Sequence, residues 1–183
     1  MAAIIDDLHQ DHINAARVLK IVERALASIE AGEAVDYALL EDAMRYVTGY
    51  SDTCHHPVED VIFDHLKVRS PEMADEIDAI KAEHASIIMK GKRFLDSVVA
   101  VGGDAFVART DLVQFGREYV ATLWKHMSAE EARLFPAAVD SLDESDWDSV
   151  QKQIDYRPDP LFGATLEEEY RRLWQLIQVH DAA

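Results

Sequence analysis

Two stretches decide how this chain folds: His126-Met-Ser-Ala-Glu130-Glu-Ala-Arg-Leu-Phe-Pro136 and, earlier, His55-His56-Pro57-Val58-Glu59-Asp60. In each, an imidazole and a carboxylate stand four residues apart. A helix puts such a pair one turn apart on a single face. Both pairs fall on faces that otherwise read as core. A buried carboxylate with no partner is costly, so the spacing asks for a compensating charge inside a helical protein.

Working outward, the apolar steps alternate three and four almost throughout, and glycine and proline are scarce. Helix 1 is expected from about residue 4 to 30, on a seam of Ile5, Leu8, His12, Ala15, Leu19, Val22, Leu26 and Ile29, with Gly32 as its stop. Helix 2 is expected over about 36–67 with Asp36 as N-cap, and Pro57 should kink or break it. Helix 3 is expected to start on Ser70 as N-cap and Pro71 at the first helical position. It carries His84 inward and ends at Gly102-Gly103. Helix 4 should begin near Asp104 and run to about residue 140, with Leu112, Gly116, Tyr119, Leu123, His126, Glu130 and Leu134 inside.

The expected fold class is therefore all-α: an up-down four-helix bundle over 1–140 with a helical C-terminal appendage over 141–183 packed on it. The appendage is too short for a core of its own. It reads as a short helix capped near 143–147, a loop over 157–163, and an amphipathic helix through Leu166, Tyr170, Leu173, Trp174 and Ile177.

Composition narrows function. With 18 Lys plus Arg against 35 Asp plus Glu, the formal charge of −17 argues against nucleic acid and against an anionic membrane surface. No run is long and apolar enough to span a membrane. The opening Met-Ala-Ala-Ile-Ile-Asp-Asp has no basic n-region, so the expected compartment is the cytoplasm. The single cysteine, Cys54, excludes an internal disulfide.

The core seams share one anomaly: His12, His84 and His126 take apolar positions on three helices, and His55 joins them from the fourth. With Glu59 and Glu130 they make a set of six that can clamp two metal ions, the carboxylates bridging. Neutral imidazole with carboxylate suits iron, zinc or manganese. His56-x-x-Glu59 is also a permitted spacing, but the match to His126-x-x-x-Glu130 favours His55.

Asp11-His12, His-His-Pro-Val-Glu-Asp (55–60), Ala-Glu-His (82–84) and the 126–136 stretch together resemble the haemerythrin-like cation-binding family, the HHE domains, over about residues 4 to 140. The resemblance implies an up-down four-helix bundle with a non-haem di-iron centre, its ligands His12, His55, Glu59, His84, His126 and Glu130. It departs at one position. Oxygen-carrying members have a further histidine one turn after the helix 3 ligand, where this chain has Ile88. Four histidines with two glutamates are closer to haemerythrin-like iron-sensing domains and to di-iron proteins implicated in iron–sulfur repair. The cysteine-bearing N-terminal segment of the repair proteins has no counterpart here.

The function expected is that of a di-metal binding protein that binds or senses O2, nitric oxide or iron. The alternatives are an oxidoreductase reducing peroxide or O2, an iron donor for repair, and a structural bundle whose histidines stay empty. The expected partner is a small diatomic ligand or peroxide. Around the site, His9 reads as a rim residue, His65 and His180 as surface, and Cys54 as a partly buried thiol. Asp60 and Glu131 are read as solvated neighbours ahead of a role in orienting ligands. Trp147, Phe162, Tyr170 and Trp174 are read as packing of the appendage, with a homodimer contact as the alternative.

Overall fold

A computed structural model describes residues 2–181, and the side chains from 4 to 179. The described residues are helical and hold no strand. No helix among them is long and apolar enough to cross a membrane. The order is α1 (Ala2–Ala31), α2 (Tyr37–Tyr50), a π-helical turn (Ser51–His55), α3 (His56–Arg69), a 3-10 turn (Pro71–Met73) and α4 (Ala74–Gly102). There follow α5 (Arg109–Ala129), a second π-helical turn (Glu130–Leu134), α6 (Phe135–Ser141), α7 (Glu144–Gln153), a 3-10 turn (Glu168–Tyr170) and α8 (Arg171–Asp181). α1 packs on α2 and α5, and α4 packs on the same two from the other side, which makes a helical bundle.

The starts and stops follow local chemistry. Asp36 caps α2 by accepting from the Leu39 N–H. Gly32 ends α1 at φ 75°, where a Cβ is disfavoured. Asp143 and Asp146 form a reciprocal capping box on α7. Three expectations needed correction. Ser70 makes no side-chain cap; its hydroxyl donates to Ser141 Oγ at 3.1 Å, and α4 starts after a 3-10 turn. α5 starts at Arg109 rather than near Asp104, because Asp104 takes a positive φ of 61° directly after the two glycines.

The third correction concerns Pro57. The helix does not break there; it widens. The π-helical turn 51–55 lies just before it, closed by the His56 N–H on the Ser51 carbonyl. The second π-helical turn, 130–134, lies just before Pro136 and is closed by the Phe135 N–H on the Glu130 carbonyl. Proline offers no N–H and crowds the carbonyl four residues back. The wider turn makes that room without ending the helix.

Two apolar clusters fill the interior. One gathers Val18, Leu19, Val22, Leu26, Met44, Val47, Phe94, Tyr119 and Leu123 with Leu173 and Ile177 of α8. The other gathers Ile5, Leu8, Ile62, Phe63, Leu66, Ile77 and Leu134 with Trp147 and Val150 of α7. Phe162, Tyr170 and Trp174 pack against the first. Asp159, buried in the loop before α8, accepts from Asn14 Nδ2 at 3.0 Å and from the Tyr46 hydroxyl at 2.8 Å, and so ties that loop to α1 and α2.

Candidate metal centre

Between the two apolar clusters lies a layer of buried polar side chains. α1 supplies His12; the π-helical turn and α3 supply His55, His56 and Glu59; α4 supplies His84; α5 and the second π-helical turn supply His126 and Glu130. All are at most 4% exposed, and both glutamates are at 0%. The six residues expected from sequence meet here. Glu59 Oε1 lies 3.0 Å from His55 Nε2 and 3.6 Å from His12 Nε2, and its Oε2 lies 3.6 Å from His84 Nε2. Glu130 Oε1 lies 3.1 Å from His126 Nε2 and 3.6 Å from His84 Nε2, with Oε2 3.6 Å from His12 Nε2.

These contacts are close but poorly aimed. All four carboxylate oxygens and the Nε2 atoms of His84 and His126 are buried with no hydrogen-bond partner. Two ligands bound to one ion at about 2.0–2.1 Å stand about 2.9 Å apart at a right angle and about 3.4 Å apart in a tetrahedron. The observed 3.0–3.6 Å is that spacing. His12 Nε2 and His55 Nε2 lie 3.0 Å apart. Their Nδ1 atoms sit on carboxylates, Glu131 and Asp11, each at 3.1 Å. A carboxylate partner keeps the proton on Nδ1, so both Nε2 lone pairs face each other and require a cation between them. The donor set fits a metal.

Without metal, protons would fill that role. Burial alone lowers the basicity of His55, but Glu59 and Asp11 outweigh it and raise its pKa to about 10. For His84, burial is likewise outweighed, by Asp60 and Glu130, and its pKa rises to about 9. His12 is raised by Glu131 and Glu59 against burial. His56 goes the other way: burial holds it well below its ordinary value.

Each imidazole is oriented from outside. His84 Nδ1 donates to Asp60 at 3.0 Å, and His126 Nδ1 lies 3.4 Å from Glu83. Asp60 and Glu131 thus face ligand-type histidines and are more than solvated neighbours, a correction to the expectation. Glu83 and Asp11 join them. Helix spacing alone signals none of these partners except as acidic residues beside the histidines. Asp11 in turn accepts from the hydroxyls of Tyr50 and Tyr156, at 3.3 and 3.4 Å.

His9 sits at the rim, its side chain 53% exposed and 3.3 Å from Glu131. His65 faces Gln153 and Asp146 on the surface, and the His180 side chain lies outside the described residues. Cys54 is buried beside His55. Ile88 is 40% exposed while Ile87 is buried, so position 88 points away from the layer. A surface pocket of about 190 Å³, lined by His9, His12, Trp124, Met127 and Glu131, reaches the layer at His12.

Ligand-type atoms of His56, Glu59, His84 and His126 lie within 4.8 Å of one another, as do those of His12, His55 and Glu59. A family model described as Hemerythrin HHE cation binding domain matches residues 3–138. No curated protein and no solved structure matches the chain.

Proposed function

The chain belongs to the Hemerythrin HHE cation-binding domain family, and on that premise we propose that it holds two metal ions, iron in both positions, and binds or senses O2, nitric oxide or iron. The ligands in this reading are His12, His55, Glu59, His84, His126 and Glu130. The fold in this reading is the family's up-down four-helix bundle over 1–140, with 141–183 packed on it as an extension. One observation carries the proposal. Glu59 and Glu130 are wholly buried, and all four of their oxygens lack a hydrogen bond while facing imidazole nitrogens. Two such carboxylates in an apolar interior cost several kcal/mol unless cations compensate them.

Bound iron would supply open coordination positions and one-electron chemistry. The protein's own part is to hold neutral imidazoles in place through Asp11, Glu131, Asp60 and Glu83, and to exclude water with the apolar clusters on either side. A binding or sensing role is favoured over turnover. Among the described residues the layer holds no group placed as a general acid or base beyond the ligand set and its carboxylate partners, and a small pocket opens onto it at His12.

The test is metal content of untagged protein with its visible spectrum under nitrogen and then air. About two iron per chain, with ferric oxo-bridged bands growing in air, is the expected result. Two zinc or manganese per chain with no iron uptake would overturn the choice of metal. No metal, and no uptake of ferrous iron, would overturn the centre itself.

A further inference from the structure

We infer that His56 is a fifth imidazole ligand, bound through Nε2 and oriented by Asp52, so that one side of the centre carries three histidines and the other two. The inference rests on the metal-centre reading and extends it by a residue that the expected six omit. His56 is 3% exposed, and its Nδ1 has no hydrogen-bond partner. It is not a packing histidine satisfied by the backbone. Its Nδ1 faces Asp52 Oδ1 at 3.6 Å. The other four buried histidines also turn Nδ1 towards a carboxylate, at closer range: His12 to Glu131, His55 to Asp11, His84 to Asp60 and His126 to Glu83, at 3.0–3.4 Å. Five buried rings, each with its own acidic residue on the outer nitrogen, repeat the arrangement that fixes the tautomer of a metal-bound imidazole.

The ring positions agree. The His56 and His84 rings are 15° from parallel with centroids 4.4 Å apart, His84 and His126 are 4.8 Å apart, and His56 and His126 are 5.6 Å apart. Rings bound to one ion have centroids about 3.2 Å from it, so neighbours stand about 4.5 Å apart at a right angle and about 5.5 Å apart at 120°. The three centroid spacings match one face of a single coordination sphere, and a ligand-type atom of each ring lies within 4.8 Å of those of the other two and of Glu59. The local helix agrees. His55 and His56 lie four and three residues before Glu59, so both flank its face, both are buried, and Asp52 stands one turn before His56.

The experiment loads the metal-free full chain with cobalt(II) and counts the exchangeable, hyperfine-shifted imidazole N–H resonances by proton NMR. Cobalt affinity is measured in parallel by chelator competition. The wild type is expected to show five such resonances, and His56→Gln four, with at least a hundredfold weaker binding of one of the two ions. Asp52→Asn should keep five and weaken that ion about ten- to a hundredfold. Four resonances in the wild type, or a His56→Gln protein with unchanged affinity and count, would overturn the assignment while leaving the six-ligand centre standing. If the wild type binds no cobalt, the centre and the fifth ligand fall together. Should His56→Gln fail to fold, the wild-type count and Asp52→Asn decide alone.

Discussion

Replacing Asp11 tests whether the orienting carboxylates govern the centre. Asp11 is 6% exposed and holds the His55 Nδ1–H at 3.1 Å. Loss of such a partner typically weakens metal binding ten- to a hundredfold, about 1.4–2.8 kcal/mol. Asp11→Asn keeps an oxygen that can accept from Nδ1–H, so it belongs near tenfold. Asp11→Ala loses charge and acceptor together and belongs near a hundredfold. A second effect opposes the first. Asp11 is one reason the metal-free His55 pKa stands at about 10, and its removal eases the competition of protons with metal. That gain is largest at pH 7 and fades as the pH approaches 10, so the penalty should emerge between pH 7 and 9. Tyr156→Phe removes a long contact of 3.4–3.5 Å to Asp11 and should cost less than about threefold. The assay is zinc or cobalt titration of metal-free protein against a chromophoric chelator at several pH values, with circular dichroism to confirm folding. A wild-type to Asp11→Asn ratio that stays flat and near one from pH 7 to 9 would refute the reasoning, and so would Tyr156→Phe being as damaging as Asp11→Ala.

Metal uptake near pH 7.5 should release at least two protons per chain, from His55 and His84, whose pKa values of about 10 and 9 leave both protonated beforehand; an indicator dye in weak buffer measures this. The same raised values bear on stability. Their contribution to the metal-free fold is fully present below pH 6.5 and is lost as the pH rises through 9 to 10, so metal-free protein should melt lower at pH 10 than at pH 7, and loaded protein should lose less. Gly116→Ala should lower stability by about 1–2 kcal/mol, because a Cβ there comes within 2.5–2.9 Å of buried Leu26 and Phe94 atoms. Gly49→Ala, in α2 with nothing within 4 Å, should raise stability by about 0.5–1 kcal/mol; thermal melts of the two should move in opposite directions.

Helical periodicity and the two His-x-x-x-Glu pairs are properties of the chain alone. A period of 3.6 residues fixes which side chains share a face, whatever they pack on. The family, the helical class and the six polar residues of the interior were therefore readable before any coordinates, as were the stop at Gly32 and the cap at Asp36. Three things were not. The proline at 57 signalled a disturbance, but whether a helix breaks, kinks or widens depends on what the neighbouring helices hold in place. The π-helical turn was one outcome, and the burial of His56 beside His55 was another: spacing permitted either histidine to face Glu59, and only packing showed that both are inside. Asp60 and Glu131 stood out in the sequence only as candidates, and which carboxylate backs which imidazole was hidden. Glu131 and His12 are 119 residues apart, Asp11 and His55 are 44 apart, and no period along the chain links them. Long-range partners of that kind exist only once the helices pack, so the tertiary structure decided which acidic residues orient the histidines and how many histidines face the centre.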